Sequence, residues 1–234
     1  MRPYKPNSRG NTMARLLAVD LQCPAPAVLA EALAVLRRGG VVAYPTDTVY
    51  GLAVDAMRPD AIARLYTVKG RPESKALPVI IGALPQLTAV VVTVPALAER
   101  LIAAFWPGPL TLLLPPHPRV PAALLGDSDC IGVRWPASTL SQQLAVGLGG
   151  AITASSANRS GAPAALTAAD VMAQLAPVLD LVLDAGAVTS PVVSTILDVT
   201  VEPPCVYRHG KIAQHALEAV LGYRVAQKKV DTGS

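Results

Sequence analysis

Three polar segments of the sequence carry residue types that could bind an anionic ligand. Residues 44–52 follow the apolar run 41–43 and contain several hydroxyls and a carboxylate. Residues 69–75 hold three cations, and residues 155–161 hold hydroxyl and amide side chains. Polar loops that follow buried strands are where α/β proteins bind ligands. The three segments are therefore predicted to form one site.

The cations of the second segment are Lys69, Arg71 and Lys75. Because Pro72 disfavours a helical conformation of Arg71, we expect the chain to leave a helix there in an extended path. Residues two apart in an extended chain point the same way, so Lys69 and Arg71 could share a face that suits phosphate oxygens. A solvated charged loop is the alternative interpretation.

The third segment could form an anion cradle from its Ser and Asn side chains and backbone N–H groups. Gly161 would permit a left-handed turn there, and an ordinary turn is the alternative. The sequence contains neither the G-x-x-x-x-G-K-[ST] phosphate loop nor G-x-G-x-x-G. Nucleotide binding, if present, must use another arrangement.

Other polar residues stand at the ends of predicted strands. Arg134 closes one strand and could be either a buried structural partner or a carboxylate clamp, while Ser194 precedes another strand. The three histidines lack partners at metal or triad spacing and are expected in loops or at the surface: His117, His209 and His215. No G-x-S-x-G elbow offers a serine nucleophile.

These segments lie between alternating helix and strand patterns, which predict an α/β fold with at least six strands. Apolar periodicity, Pro at helix starts and Gly at helix ends define the predicted elements. The predicted helices are 27–38, 59–68, 95–105, 139–146, 167–175 and 211–221. The predicted strands are 41–44, 78–81, 110–114, 131–134, 151–153, 181–183 and 195–199.

The composition predicts one large soluble domain. Hydrophobic residues make up 52% of the 234 residues and charged residues 15%, which supports a large core. No apolar run reaches the length of a membrane span and no signal-peptide pattern is present, so a cytoplasmic location without membrane contact is expected. Cys23, Cys130 and Cys205 are interpreted as buried, reduced thiols rather than as metal ligands.

The net charge of +4 comes from the two ends of the chain. The body, residues 16–223, carries 13 basic and 15 acidic residues and a net charge of −2. We therefore expect residues 1–15 to be a disordered segment and residues 223–234 to be a basic tail, both dispensable for activity. Because the excess positive charge lies at the two ends and the body is acidic, the net charge gives only weak support for nucleic-acid binding by the body.

Six motifs occur in the order found in YrdC-like threonylcarbamoyl-AMP synthases, and the chain resembles that family over about residues 16–222. They are PTDTVYGL at 45–52, KGRP at 69–72, FWPGPLT at 105–111, GVRWP at 132–136, SANRSG at 156–161 and STI at 194–196. The resemblance implies a twisted mixed β-sheet flanked by helices, with a concave ligand-binding face. It also implies a catalytic domain at 16–222, in the single-domain form of the family.

The resemblance implies a nucleotidyl transfer. Such enzymes join L-threonine, bicarbonate and ATP into threonylcarbamoyl-AMP and release pyrophosphate, for threonylcarbamoyladenosine modification of tRNA next to the anticodon. Mg²⁺ is expected with ATP, and no organic cofactor is expected. Expected partners are the three substrates, downstream tRNA threonylcarbamoyl-transfer proteins and, weakly, tRNA or other RNA.

The resemblance also implies residue roles. Lys69, Arg71 and Lys75 would face the phosphates in the catalytic step. The remaining nucleotide contacts would be Ser155, Asn158, Ser160 and Arg208. Threonine would be held by Thr46, Arg134, Thr153 and Ser194.

Two departures from the family pattern concern these roles. Ile80 stands where many members have His, so one threonine contact is replaced or missing. Arg208-His209-Gly210 stands for Arg-Pro-Gly, which affects the pose of Arg208. Two alternative functions are a double-stranded-RNA-binding module and a carbamoyl-transfer domain of the hydrogenase-maturation type.

Overall fold

The computed structural model describes residues 14–188 and 193–228, which form two mixed β-sheets flanked by helices. The strands are β1 (Arg15–Ala18), β2 (Val42–Pro45), β3 (Tyr50–Ala53), β4 (Val79–Ile80), β5 (Leu110–Leu114), β6 (Ile131–Arg134), β7 (Ile152–Thr153), β8 (Ser155–Ser156), β9 (Leu181–Asp184), β10 (Thr195–Asp198), β11 (Cys205–Arg208) and β12 (Ala226–Gln227). The helices are α1 (Pro26–Arg37), α2 (Pro59–Lys69), α3 (Ala96–Phe105), α4 (Ala122–Leu125), α5 (Thr139–Leu148), α6 (Ala168–Leu175) and α7 (Gln214–Leu221), and short 3₁₀ turns cover Leu84–Ala89 and Ala176–Val178.

The helices begin and end at local sequence signals. Pro residues open α1 and α2, where a missing N–H costs no hydrogen bond. The Ser138 side chain caps α5 by accepting from the Ser141 N–H, and Thr167 and Asp170 form a reciprocal capping box on α6. Gly70, at φ 58°, ends α2 in the left-handed conformation and redirects the basic segment.

The strands are divided between two sheets. The first has the order β1-β9-β2-β3-β8, and the second has the order β12-β11-β10-β5-β6-β4-β7. Strand β2 is buried on both faces: Val41 and Ala43 join a core cluster shared with the second sheet, while Val42 and Tyr44 pack in a cluster with α1 and α5. This two-sided burial produces an apolar run rather than an alternating pattern.

The predicted α/β fold is confirmed, but several strands were not predicted. Residues 50–53, predicted as part of a polar loop, form β3, which pairs antiparallel with β2 and leaves only residues 46–49 as the connecting turn. Because β3 is buried on both faces and contains Gly51, its sequence lacks strand periodicity. The prediction also lacked β1, β8, β11 and β12, which are short.

The cysteines differ from their predicted burial. Cys23 is exposed, while Cys130 and Cys205 are partly exposed, and all three are free thiols. Cys23 lies in a turn whose backbone N–H groups are held by Asp20 rather than in the core. The frequent burial of cysteine is therefore a poor guide at this position. None of the helices in the part of the chain that the structure describes is long and apolar enough to cross a membrane.

The C-terminal region predicted as a basic tail is partly folded. Val225 is buried, and β12 pairs in parallel with β11. The backbone N–H groups of Ala226 and Lys228 donate to Pro204 and Val206 at 2.8 and 3.0 Å. At the other end, β1 begins at Arg15, inside the segment predicted as disordered.

Deletion of residues 223–234 is therefore expected to lower the free energy of unfolding by about 2 kcal/mol, through loss of one buried aliphatic side chain and two backbone hydrogen bonds. Deletion of residues 229–234 is the comparison variant, so that the difference between the two deletions isolates the contribution of residues 223–228. Urea unfolding of both variants measures the difference, and equal stability would contradict a structural role for β12.

Candidate functional site

A cavity of about 620 Å³ lies where the two sheets approach each other. The second sheet contributes Ile80, which pairs with Arg134, and Thr111, which pairs with Ile196. The first sheet contributes the row Tyr44, Gly51 and Ser156, which are consecutive cross-strand partners on β2, β3 and β8. All of these residues line the cavity, so the register of both sheets positions the site.

Gly132 forms part of the cavity wall in β6. A Cβ atom at this position would lie 3.2 Å from the Pro78 Cβ and 3.4 Å from atoms of Leu113 and Thr111. These distances are tight, and a larger side chain would also fill space that a ligand needs. Glycine is therefore favoured here by close approach rather than by backbone conformation.

Arg134 is a structural partner, as one interpretation has it, and it also lines the cavity, while its role as a carboxylate clamp stays a prediction. Its Nε donates to the Gly108 carbonyl at 2.9 Å, and its Nη2 donates to the Asp47 carboxylate at 2.5 Å. The residue is 6% exposed. Burial lowers the pKa of Arg134, while the neighbouring Asp47 acts in the opposite direction. A guanidinium held on two sides and open to the cavity is suited to an anionic ligand.

Ser194, Arg208 and Thr111 form a second polar group on the same wall. Arg208 Nη2 donates to both the carbonyl and the hydroxyl of Ser194 at 2.9 Å, and the Ser194 and Thr111 hydroxyls lie 3.0 Å apart. The pKa of Arg208 is lowered by burial of its guanidinium and then by the charge of Arg134. The predicted Ser194 and Arg208 are thus brought together with Arg134.

Thr46 lines the cavity at the turn between β2 and β3. Its hydroxyl donates to the Val49 carbonyl at 2.6 Å and accepts from the N–H groups of Thr48 and Val49 at 3.1 and 3.3 Å. The side chain therefore closes the turn on itself. Its hydroxyl fixes the position of Asp47, which lies in the same turn.

The basic segment is divided between two environments. Arg71 and Lys75 line the cavity, as predicted, and Arg71 also donates to the Ala76 carbonyl at 3.0 Å. Lys69 does not line the cavity; it ends α2 and is 3% exposed. The prediction that Lys69 and Arg71 share one face is therefore wrong. The helix continues through Lys69, and the left-handed Gly70 then turns the chain.

Lys69 instead ties the basic segment to the third polar segment. Its Nζ donates to the carbonyls of Ser156 and Asn158, the latter at 2.9 Å, and its own carbonyl accepts from the Ser160 N–H at 2.8 Å. Burial, followed by the charge of Arg71, lowers the pKa of Lys69 to about 8. Its ammonium is therefore close to Arg71 and lies against the third polar segment, whose residues Ser155 and Ser156 line the cavity.

The third segment reaches the cavity through its first residues. Ser155 and Ser156 line the cavity, whereas Asn158 and Ser160 do not. The Asn158 side-chain amide donates to the carbonyls of Arg159 and Ala162 at 2.9 and 2.6 Å, which stabilises the turn. Its Oδ1 is buried and has no hydrogen-bond partner among the described residues.

Thr153, which the resemblance places at threonine, does not line the cavity. Its side chain is fully buried and links β7 to the first sheet, because Oγ1 donates to the Leu52 carbonyl and accepts from the Val54 N–H, both at 3.1 Å. The observed contacts are those of a structural residue.

Replacing Thr153 by Val is expected to lower the free energy of unfolding by about 1–3 kcal/mol, because two buried backbone groups lose their partner. Threonine affinity should stay within about twofold of wild type, since the Thr153 side chain does not line the cavity and its hydroxyl contacts only backbone groups. Thermal unfolding and threonine titration measure the two quantities. A stable variant with weak threonine binding would instead indicate direct contact.

Several cavity residues were not singled out from the sequence, among them Asp127, Ser128 and Tyr207, whereas Tyr44 begins the first predicted polar segment. The Tyr44 hydroxyl is buried without a hydrogen-bond partner in the described residues, and burial raises the pKa of Tyr44 well above its ordinary value. Because its pKa is raised, the Tyr44 hydroxyl is protonated at neutral pH.

The remaining titratable residues give no metal cluster. Within residues 14–188 and 193–228, no group of three His, Cys, Asp or Glu side chains could hold a metal ion. His209 and His215 are exposed and His117 is partly buried, in agreement with their predicted loop or surface positions. Asp127 is the one carboxylate among the described residues that line the cavity.

The fold and the cavity define a two-sheet α/β domain with a cationic, hydroxyl-rich binding site. Residues 34–210 match the Sua5/YciO/YrdC family, which carries the description telomere recombination. This match covers most of the chain. The chain therefore belongs to the Sua5/YciO/YrdC family.

Relatives with assigned names agree with this family assignment. The chain is 42% identical over 142 residues to a threonylcarbamoyl-AMP synthase of Halorhodospira halophila, covering 59% of this chain and 74% of the relative. It is 36% identical over 202 residues to one of Pyrococcus abyssi, covering 84% of this chain and 59% of that relative. The chain thus spans about three fifths of the length of the Pyrococcus protein.

A solved structure of P. abyssi Sua5 complexed with L-threonine superimposes with a TM-score of 0.87 and 33% identity. The superposition covers 95% of this chain and 66% of the Sua5 chain. The architecture of the cavity walls is therefore shared with a protein that binds L-threonine.

Proposed function

We propose that this protein is a threonylcarbamoyl-AMP synthase that converts L-threonine, bicarbonate and ATP into threonylcarbamoyl-adenylate and pyrophosphate. The observation that carries the proposal is one cavity with two cationic regions. Arg71 and Lys75 lie in one segment of the wall, while Arg134 and Arg208 come from strands of the second sheet. Relatives that carry the name of this activity, and the threonine-bound relative, support it.

The two cationic regions fit the two anionic substrates. We assign the threonine carboxylate to Arg134, whose guanidinium is oriented by Gly108 and Asp47 and keeps Nη1 for a charged hydrogen bond. Ser194 and Thr46 also line the cavity, where the Ser194 hydroxyl can hydrogen-bond threonine and Thr46, whose hydroxyl is held within its own turn, shapes the pocket. Arg71 and Lys75 then face the phosphates of ATP, with Ser155 and Ser156 opposite on the first sheet. Arg208 is positioned to contact either substrate.

The proposed chemistry needs no nucleophile from the protein. The threonine amine condenses with bicarbonate to give a carbamate and water. A carbamate oxygen then attacks the α-phosphorus of ATP, the bond from that phosphorus to the bridging oxygen of the β-phosphate breaks, and pyrophosphate leaves. The protein contributes by holding the two substrates in line and by stabilising negative charge on the phosphates.

Mg²⁺ is proposed to enter as the magnesium complex of ATP. Magnesium in nucleotide sites is commonly held by substrate phosphates with one or two carboxylates. Asp127 lines the cavity and fits that requirement. When bound, the ion would neutralise phosphate charge.

The residues that do not line the cavity are proposed to act on it indirectly. Lys69, Asn158 and Ser160 hold the third segment against the end of α2 through the hydrogen bonds described above. This arrangement presents Ser155 and Ser156 to the cavity. Thr153 is proposed to support the junction of the sheets rather than to bind threonine.

The test is pyrophosphate release with each substrate omitted in turn. We expect release to require threonine and bicarbonate together with MgATP, and other amino acids to be poor substitutes. Release without threonine would indicate a plain ATP pyrophosphatase. Release with carbamoyl phosphate instead of threonine would favour the carbamoyl-transfer alternative, and retention of double-stranded RNA without any turnover would favour the RNA-binding alternative.

A further inference from the structure

Among the described residues, the one side-chain hydrogen bond of the Asp47 carboxylate is with Arg134. Its Oδ2 accepts from Arg134 Nη2 at 2.5 Å, while its Oδ1 is buried and has no hydrogen-bond partner there. Asp47 does not line the main cavity; it lines a smaller pocket on the other side of the turn, with Ser138 and Thr139. A partly buried carboxylate whose one ion pair is with Arg134 acts through that arginine.

The hydrogen bonds of Arg134 leave one part of its guanidinium free. Nε is held by the Gly108 carbonyl, and Nη2 is held by Asp47. Nη1 makes no hydrogen bond to the residues that the structure describes, and Arg134 lines the cavity. Two fixed contacts on a planar group determine its orientation, so Nη1 is held in a fixed direction.

The backbone that carries Asp47 is itself held in place. Thr46 and Thr48 flank it, and the Thr46 hydroxyl bonds both the N–H and the carbonyl of Val49 within the same turn. The pair also joins the two sheets, because Asp47 follows β2 in the first sheet and Arg134 ends β6 in the second. The turn can therefore set the position of the guanidinium relative to the first-sheet wall.

We propose that Asp47 is a positioning residue that orients Arg134 for the carboxylate of the amino-acid substrate. This inference rests on the proposed function and adds a residue that does not touch the substrate. Asp47 balances the buried charge of Arg134 and leaves its Nη1 for the ligand. Without the carboxylate, the guanidinium would keep its charge but lose its fixed direction.

The test compares Asp47→Asn with Asp60→Asn. Both changes remove a carboxylate that lies 2.5 Å from an arginine nitrogen, but Asp60 pairs with Arg58 at an exposed site outside the cavity. We expect Asp47→Asn to raise the KM for threonine roughly tenfold to hundredfold, the loss typical of one charged hydrogen-bond partner. The KM for ATP should stay within about twofold, and Asp60→Asn should change neither constant.

A double-mutant cycle separates positioning from general destabilisation. In an Arg134→Lys background, Asp47→Asn should raise the threonine KM by less than about threefold, because its effect acts through the guanidinium. Asp47→Glu, which keeps the charge, should restore part of the threonine affinity. Threonine binding by calorimetry without ATP supplies the same comparison if a variant is too slow to assay.

The outcomes are distinguishable. Wild-type protein without threonine-dependent pyrophosphate release would contradict the proposed function itself. With that release present, an unchanged or lowered threonine KM in Asp47→Asn would overturn the positioning role, a lowered value meaning that Asp47 competes with the substrate. Equal rises for threonine and ATP, or full additivity with Arg134→Lys, would also overturn it.

Discussion

Replacing Lys69 by methionine is expected to weaken ATP binding roughly 10- to 150-fold, the range for losing a charged hydrogen-bonding group. The buried ammonium donates to the carbonyls of Ser156 and Asn158 and lies close enough to Arg71 for the two charges to interact. The change removes a positive charge near the proposed phosphate region and releases the loop that presents Ser155 and Ser156. Threonine affinity should change much less, because Arg134 lies on the second sheet, whereas Ser155 and Ser156 lie on the first.

The pH dependence gives this prediction a second measurement. The pKa of Lys69 is lowered to about 8, so its ammonium is mostly charged at pH 7 and mostly neutral above pH 8 in the free protein. A bound polyphosphate favours the charged form, so binding above pH 8 must take up a proton. ATP affinity should therefore fall as pH rises through 8, by up to about tenfold per pH unit.

Calorimetry from pH 7 to 9.5, in buffers of different ionisation enthalpy, measures both the affinity and the proton uptake. Lys69→Met should show neither the fall nor the uptake. Lys211→Met is the control, because Lys211 is exposed and does not line the cavity. A wild-type affinity that is flat across this range, or a Lys69→Met variant that binds ATP normally, would contradict the assigned role.

Replacing Arg134 by lysine is expected to raise the threonine requirement roughly 5- to 150-fold, which corresponds to about 1–3 kcal/mol. Lysine keeps the charge but cannot bond Gly108, Asp47 and a ligand carboxylate in one plane as the guanidinium can. ATP affinity should be little changed. Titration of the variant with each substrate by calorimetry measures the two effects separately.

The matched control for this variant is Arg64→Lys. Arg64 pairs with Asp180 at 2.8 Å and does not line the cavity, so the same substitution there should leave both affinities unchanged. If Arg134→Lys weakens ATP as much as threonine, Arg134 faces phosphate or serves only the fold. The assignment of the two cationic regions would then be wrong.

Local sequence signals predicted six of the seven helices, all but the one-turn α4, and most of the longer strands. Pro59 and Gly70 define α2 because each acts on its own backbone, and Ser138 and Thr167 act in the same way at α5 and α6. The short strands β8 and β12 contain two residues each and depend on partners far along the chain. Two-residue strands carry no periodic pattern of their own, and β4 and β7, which are equally short, were predicted only as parts of the longer segments 78–81 and 151–153.

Part of the site was predicted because it is marked by local sequence signals. Arg71, Lys75, Arg134, Ser194 and Arg208 line the cavity because they stand where strands or helices end. The burial of Lys69 could not be predicted, because it depends on the loop after β7 lying against the end of α2. The pairing of Asp47 with Arg134 across two sheets could not be predicted either, since no local pattern links positions 47 and 134. RNA binding, downstream transfer partners and the cytoplasmic location stay predictions.

The measurement that tests the central claim most directly is the fate of ¹³C-bicarbonate in the complete reaction. The purified protein is incubated with MgATP, L-threonine and the labelled bicarbonate, quenched rapidly and analysed by mass spectrometry. The proposed function predicts an adenylate that contains threonine and one labelled carbon, formed in step with pyrophosphate and absent when threonine is omitted. Pyrophosphate release without a labelled threonine adenylate, at any point of the time course, would contradict it.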